Sequence, residues 1–515
     1  MPKDTISNKE CFFITTPIFY VNDVPHIGHA YTSVACDVVA RFMRLCGKQV
    51  YFLTGTDEHG QKVEASAIKN NLTPQEFTDK NAAIFEQMMQ IFNISNDDFI
   101  RTTQERHMKA VRYFWQKLIA TGNIYLGKYA GWYCVRDEAF YAEEELAPDG
   151  KAPTGAPVEW VEEPSYFFAL SKWQEPLLKF YEENADFIRP ESRRNEVISF
   201  VKSGLKDLSV SRTSFNWGIP VPGDASHVIY VWLDALTNYI SALGYPDISV
   251  DYKKFWPQSY HVVGKDILRF HAVYWPAFLM AAELSPPKSI IAHGWWTNEG
   301  EKISKSLGNV IDPLALMQEF GLDNVRYFLM REVTFGADGN FARSNLIARC
   351  NSELSNKIGN LLQRTASFVY KNCDRAVPNI PHDVIGRLYQ EELLMLVLVR
   401  HAENITYMSN FQINKVLENI IYIAEQANLY IDQQAPWSLK NTDIERMNLV
   451  LYCLLELVRN IAIMLLPFTP DAAEKMLNQL GVPDNERSFD HLGYEYALKP
   501  EAGIQEPMPI FPRLI

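Results

Sequence analysis

The sequence predicts an α/β protein: a Rossmann-type parallel-sheet domain split by a β-rich connective insertion, followed by an α-helical bundle. Three observations predict it. Near the N-terminus, apolar strand-like runs alternate with an amphipathic helix. The middle of the chain turns rich in Gly, Pro and aromatic residues. After about Ser344 strand patterns stop and helical periodicity takes over.

The elements follow in order. "CFFITTPIFY" from Cys11 reads as a buried strand. "AYTSVACDVVARFMRLCG" reads as a helix closed by Gly47, and "QVYFLTGTDEHG" as a second strand and loop. This β-α-β order implies a parallel sheet with ligand chemistry at the C-terminal ends of its strands. The stretch from "LGKYAGWYCVRDEAF" to "PSYFFALS" reads as the insertion. Strand–helix alternation resumes near "SHVIYVWLDALTNYISALG" and "SYHVVGKDILRFHAVYWPAFLMAA", and the closing segment supplies four or five helices.

With 515 residues the chain is long enough for two or three cores. A net charge of -13 argues against a protein that coats DNA with a wholly basic surface, while leaving room for local basic tracks. One such stretch is "RPESRRNEVISFVKSGLKDLSVSR", with Arg189, Arg193, Arg194, Lys202, Lys206 and Arg212; a phosphate track and a solvated helix face are equally good readings. The 7 cysteines form no C-x-x-C pair, which suits free thiols in a reducing compartment. The N-terminus lacks a signal-peptide pattern, and the apolar run from Leu449 is interrupted by Glu456, Arg459 and Asn460, too short to span a bilayer. The expectation is a cytoplasmic protein with no membrane partner.

"HIGH", His26 to His29, falls where a strand turns into a helix. A helix start exposes N–H groups and the positive end of its dipole, so anions bind there; Gly28 permits close approach and two imidazoles can donate to phosphate oxygens. By itself the tetrapeptide reads equally as a pair of helix-cap histidines. Far downstream, "EKISKSLGNVID" places Lys302 and Lys305 in a Gly-flanked loop able to fold over a polyphosphate, or simply to sit in solvent.

Together the two motifs resemble the signatures of class I aminoacyl-tRNA synthetases. The flanking segments "TTPIFYVNDVPHIGHAYT", "LTGTDEHGQK", "YVWLDALTNYI", "VVGKDILRFHAVYWPA", "AHGWW", "NKIGNLLQR" and "QQAPW" resemble bacterial-type methionyl-tRNA synthetases over essentially the whole chain. That resemblance implies a methionine–tRNA ligase with a first catalytic half at 1–118, a connective insertion at 119–222, a second half at 223–290, a KMSKS-loop and stem-contact region at 291–350, and an anticodon-binding bundle at 351–515. It implies L-methionine, ATP with Mg²⁺, and tRNA(Met) as substrates. Ligases for cysteine or for leucine, isoleucine and valine fit less well, lacking here the metal ligands of the one and the large editing insertion of the others. The chain ends soon after the bundle, so a monomer is expected.

The resemblance also assigns residues. His26, His29, Lys302 and Lys305 would carry catalysis, and Gly28, Gly264, Asp266, His293, Ile303 and Ser304 would join them in holding ATP. Asp57 would take the methionine ammonium; Ile18, Tyr20, Trp232, Ala235, Tyr239, Ile267, Phe270, His271 and Trp275 would line its side-chain slot. Tyr239 and His271 are the candidates for sulfur contact, since a thioether accepts only weak hydrogen bonds and packs well on aromatics. Asn360, Arg364 and Trp437 match positions that read the anticodon. Relatives often carry zinc in the insertion, but here Cys134 is followed at the expected partner position by Asp137, and no second Cys pair comes before "PSYFFALS". No structural zinc is expected, and the knuckle tip is expected to hold by packing alone.

Overall fold

The computed structural model describes residues 9–22, 24–137, 139–141, 143–303, 309–389 and 392–515. One compact unit is built from Cys11–Pro25 and Tyr51–His293, a second chiefly from His26–Val50 and Gly294–Ile515.

The first unit is organised on a seven-stranded sheet: β1 (Cys11–Thr15), β2 (Phe19–Tyr20), β3 (Gln49–Asp57), β4 (Asp98–Arg101), β5 (Ile188–Arg189), β6 (Ser259–Gly264) and β7 (Ser289–His293). Its order is β2-β3-β1-β6-β7-β5, with β4 also against β3. The pairs β1–β6, β6–β7, β7–β5, β2–β3 and β3–β4 are parallel. Strands covered on both faces need near-continuous apolar sequence, which "CFFIT" supplies for β1 and the Ile290–Ala292 stretch supplies for β7. The chain leaves β1 toward β3 in its first half and returns on β1's other side as β6. That change of direction is the switch point at which open α/β sheets bind ligands. Asp57, Gly264 and His293 end their strands on this edge.

Two elements differ from the sequence reading. β5 lies within 119–222 yet completes the central sheet, its Ile188 paired with Ile290; two residues carry no periodicity to read. "SHVI" forms the end of the strand Asp224–Ile229, which joins Ser211–Arg212 and Pro220–Val221 in a small antiparallel sheet and never enters the central one. The insertion itself is an antiparallel sheet of Ile124–Cys134, Ala139–Tyr141, Glu159–Phe168 and Leu208–Ser209, with helices Gln174–Glu183 and Glu191–Lys202 following its long hairpin.

In the second unit, α1 (Ile27–Leu45) carries the His-x-Gly-His turn at its start. Asp37, fully buried on α1, pairs with the equally buried Arg326 of the helix Leu322–Arg331 at 2.6 Å. Arg326 also donates to the carbonyls of Pro467 and Phe468, so its charge is fully used in the core. Past Phe341, apart from an isolated bridge between Ala376 and Gly503, the described residues are helices and loops, including Asn360–Asn372, Glu392–Ser409, Ile413–Gln434, Ile444–Leu465 and Pro470–Gln479. Ile444–Leu465 runs longer than the interrupted apolar stretch suggested. By length and composition it passes as a membrane span, yet it is packed inside the bundle. There Glu456, Arg459 and Asn460 meet Tyr389 in a buried polar network.

Candidate active site

The residues that the resemblance assigns to a side-chain slot lie on the switch-point edge of the sheet. Tyr20 is in register with Asp57, and Val21 N–H donates to the Asp57 carbonyl at 3.2 Å. Asp57 itself is buried, 8% exposed, at the end of its strand. Trp232 and Ala235 share the short helix Val231–Leu236, and Tyr239 follows one turn later. Across from them, Ile267, Phe270 and His271 lie on the turn after β6, where the helix widens by one residue per turn over Phe270–Tyr274; such widened turns often re-aim functional side chains. Trp232 stacks flat on Phe270, ring centroids 3.7 Å apart. Ile18, Tyr20, Trp232, Ile267 and Phe270 are half-buried, whereas Ala235, Tyr239, His271 and Trp275 are buried. The first group can form a slot's walls and the second its floor. Trp275 sits behind Tyr239, its centroid 6.2 Å away.

The floor carries one decisive hydrogen bond. Tyr239 Oη lies 2.7 Å from His271 Nε2, while His271 Nδ1 lies 2.9 Å from the Ile267 carbonyl oxygen. A carbonyl only accepts, so His271 carries its proton on Nδ1. Burial pushes the imidazole down to about 4, against the Ile267 carbonyl and Asp266, which favour its charged form, so it is neutral near pH 7. Its Nε2 is then an acceptor, and the Tyr239 hydroxyl is the donor between them. The tyrosine proton is committed before any substrate arrives.

At the end of β6, a Cβ on Gly264 would lie 2.5 Å from Asp266 Oδ1 and 3.8 Å from His293 Cε1. The close approach that Gly264 permits is therefore by Asp266 itself, whose exposed carboxylate folds back toward the strand end where Gly264 and His293 are in register.

The His-x-Gly-His turn is a capping box made of imidazoles. His26 Nδ1 accepts from the Gly28 N–H at 3.1 Å, and His29 Nδ1 accepts from the His26 N–H at 3.1 Å. The rings stack at 3.8 Å, and a Cβ on Gly28 would meet the His26 ring at 2.9 Å. Both Nδ1 atoms being acceptors, each neutral ring holds its proton on Nε2. Burial and the neighbouring His26 hold His29 well below its ordinary range, so its donor is an uncharged N–H. Ile27 N–H donates to the Ile311 carbonyl at 3.2 Å, which ties this turn to the residues that follow the lysine loop. Lys302 closes the hairpin Trp296–Asn298/Glu301–Lys302, paired with Thr297, and Ile303 follows it half-buried. Ser304 and Lys305 lie outside the described residues.

A family model described as "tRNA synthetases class I (M)" matches residues 12–156 and 147–366, and one described as "Anticodon binding domain of methionyl tRNA ligase" matches 385–514. The chain belongs to the methionyl class I tRNA synthetases. It is 68% identical to the methionine–tRNA ligase of Rickettsia felis over 98% of this chain and 99% of that one. It is 50% identical to that of Mesorhizobium japonicum over 99% and 98%. The Mycobacterium tuberculosis methionyl-tRNA synthetase in complex with methionyl-adenylate superposes with a TM-score of 0.93, at 45% identity, over 98% of this chain and 100% of that one.

In this family the insertion often holds zinc, but here the residues around Cys134 do not fit it. Asp137 Oδ2 instead accepts from the Cys134 thiol at 3.2 Å, from Tyr141 at 3.0 Å and from the Thr154 hydroxyl, and Arg136 lies 3.3 Å from Oδ1. Among the described residues no group of three His, Cys, Asp or Glu side chains could hold a metal. The tip therefore does more than pack: a carboxylate gathers the donors around one point beside the small core of Cys134, Ala152 and Ala156. Three polar partners from two segments were beyond the reach of a motif search for Cys and His.

The residues expected to read the anticodon fall on one patch of the bundle. Arg364 lies over the Trp437 ring at 5.5 Å, and Asn360 is exposed one turn before it. Trp437 is 46% exposed, presented by Pro436 after a left-handed Ala435. Asp432, which the sequence reading missed, takes Arg364 Nη2 at 2.6 Å and fixes its direction. The basic stretch upstream is no continuous track. Arg212 is buried against Tyr230 and donates to Ser209 and Ser211, and Arg194 donates to the Tyr181 carbonyl.

Proposed function

We propose that this protein joins L-methionine to tRNA(Met) in two steps, with MgATP as the energy-rich substrate. The observation that carries the proposal is the Tyr239–His271 pair. Its hydroxyl and ring protons are both committed within the protein, which makes the pair a neutral aromatic surface on the sheet edge that also presents Asp57. Such a floor suits a thioether, which packs on aromatic faces and asks little of hydrogen bonds, better than a hydroxyl or amide side chain, which would leave a polar group unmatched.

In the first step the methionine carboxylate attacks the α-phosphate of ATP and displaces pyrophosphate. Asp57 orients the attacking amino acid through its ammonium group. His26 and His29 donate Nε2–H to phosphate oxygens as charge builds, joined by Lys302, Lys305 and the backbone around Gly28, Ile303 and Ser304. Gly264, Asp266 and His293 hold the adenosine portion, with Asp266 on the ribose hydroxyls. In the second step the terminal adenosine of tRNA takes the methionyl group, after Asn360, Arg364 and Trp437 have read the anticodon. We assign the catalytic halves, insertion and bundle the boundaries given above, with Ile188–Arg189 counted to the catalytic sheet, a monomeric state and a cytoplasmic site of action. Every group named comes from one chain.

Amino-acid-dependent ATP–pyrophosphate exchange across the common amino acids tests the proposal. Methionine should be the only efficient substrate; exchange driven better by another amino acid would overturn it.

A further inference from the structure

Asp234 lies between Trp232 and Ala235 on the helix Val231–Leu236 and is fully buried. Its carboxylate is held from two directions. His59 Nδ1 lies 2.6 Å from Oδ2, and His107 Nε2 lies 2.7 Å from Oδ1. His107 continues through Nδ1 to Ser241 Oγ at 2.9 Å, two residues beyond Tyr239. All four residues are buried, none more than 4% exposed, and the carboxylate's two oxygens are both engaged by these imidazoles. Burial works against the carboxylate's charge, but the two imidazoles outweigh it and hold the group down to about 2.

The segment beyond Asp57 is pinned residue by residue. Glu58 N–H donates to Thr102 Oγ1 at 2.9 Å, the Trp217 indole donates to the Glu58 carbonyl at 2.6 Å, and Gly60 N–H donates to the Trp217 carbonyl at 3.0 Å. His59, in its middle, is the residue that reaches Asp234. The anchor for the ammonium group therefore hangs from one side of Asp234. Trp232, Ala235 and Tyr239, which shape the slot, hang from the other.

We infer that Asp234 is a positioning residue that sets the separation between the ammonium anchor and the side-chain slot, and with it the length of amino acid the site accepts. The inference rests on the methionine pocket proposed above. A rigid carboxylate shared by two imidazoles has little play, because each ring is locked by a second contact: His59 edge-on against Trp217 at 5.5 Å, His107 at Ser241.

The experiment uses the full-length protein in pyrophosphate exchange with methionine and with S-methylcysteine, one methylene shorter. Asp234→Asn should raise the methionine KM about tenfold while kcat and the ATP KM stay within about threefold. A pocket discriminates one methylene by about 10–200-fold, and this ratio should shrink at least about fivefold in the variant. His59→Leu should reproduce the effect. His59→Asn, whose amide stands near the place of Nδ1, should restore most of the parent behaviour; this pair carries the test if Asp234→Asn does not fold. Parent values of both methionine KM and discrimination in Asp234→Asn and His59→Leu would overturn the inference. So would equal rises in the methionine and ATP KM with a lower Tm and unchanged discrimination, the mark of fold support alone. Asp57→Asn is the separate control. If it leaves the methionine KM unchanged, the pocket reading fails and takes the inference with it. If it raises that KM while the Asp234 and His59 variants do not, the inference alone falls.

Discussion

Ile27 donates its backbone N–H to the carbonyl of Ile311 at 3.2 Å, so the start of the helix bearing the two histidines is tied to the far end of the lysine loop. The motifs are nearly three hundred positions apart in sequence, yet one hydrogen bond sets the histidine turn beside the chain that leaves the lysines. Neither motif alone outweighs a reading as an ordinary surface turn. That one backbone contact is a relationship between the two stretches that neither motif shows by itself.

The tautomers of the histidine turn give the first prediction. His29 Nδ1 is consumed by the His26 N–H, so Nε2–H is its donor. His29→Asn keeps an acceptor for the cap and removes that donor. It should leave Tm and methionine affinity near the parent values and slow adenylate formation by about a hundredfold or more, the usual cost of losing a transition-state donor. Pyrophosphate exchange within a few-fold of the parent would disprove the role.

For the slot, Tyr239→Phe removes the donor to His271 Nε2 and leaves a buried acceptor unmatched. An unsatisfied buried group costs about 1–3 kcal/mol, so Tm should fall, and the released His271 ring should raise the methionine KM with little change in the KM for ATP. An unchanged methionine KM would remove the pair from the floor of the slot.

The knuckle prediction concerns metal. Purified protein should hold zinc well below one atom per chain and keep its activity after chelation once Mg²⁺ is restored. Asp137→Ala should loosen the tip, seen as faster amide exchange or proteolysis near Cys134, Tyr141 and Thr154, because it strips the acceptor shared by all three. One tightly held zinc per chain, with an Asp137→Ala tip as protected as the parent's, would reverse this account.

Stability should also depend on pH. Burial holds His271 and His401 at about 4, below the ordinary 6.5. As pH falls from about 6.5 toward about 4, the unfolded chain takes up protons on these rings while the folded chain does not, so folding weakens across that window. Asp323, raised by burial to about 6 from 3.8, works in the opposite direction from about pH 6 down through the rest of that window. His401→Phe, packing against Phe489 as the imidazole does, should lessen the fall in Tm between pH 6.5 and 4.5. An unchanged pH slope would show that His401 titrates normally.

Much of this was legible because its signals are local. The apolar run of β1, the helix after the His-x-Gly-His turn and the helical periodicity after Ser344 each follow from a few adjacent residues. What escaped depends on distance. His59 and His107 meet Asp234 from 175 and 127 positions away, and nothing in their neighbours announces a shared carboxylate. β2 and β5, of two residues each, are strands only because a longer strand lies beside them. Asp137 and Asp432 were missed for a chemical reason: a carboxylate that organises other side chains looks, in sequence, like any solvated one.

Asp432 leads to the last prediction. Trp437 is exposed, and Arg364 is held over its ring by the 2.6 Å pair with Asp432, so a base entering this patch would meet an indole face beside a guanidinium of fixed direction. Stacking on an aromatic side chain contributes about 1–3 kcal/mol per base. Trp437→Ala should therefore weaken tRNA aminoacylation by about one to two orders of magnitude, as that energy implies, and blunt discrimination between the methionine anticodon and its single-base variants. Asp432→Asn should act differently. It leaves the stacking face in place but frees Arg364 to wander, so anticodon discrimination should fall more than overall charging does. Methionine-dependent pyrophosphate exchange, which needs no tRNA, should be unaffected in both variants. Equal losses of exchange and charging would mean that these residues support the fold of the bundle. Unchanged charging and discrimination in Trp437→Ala would place the anticodon elsewhere.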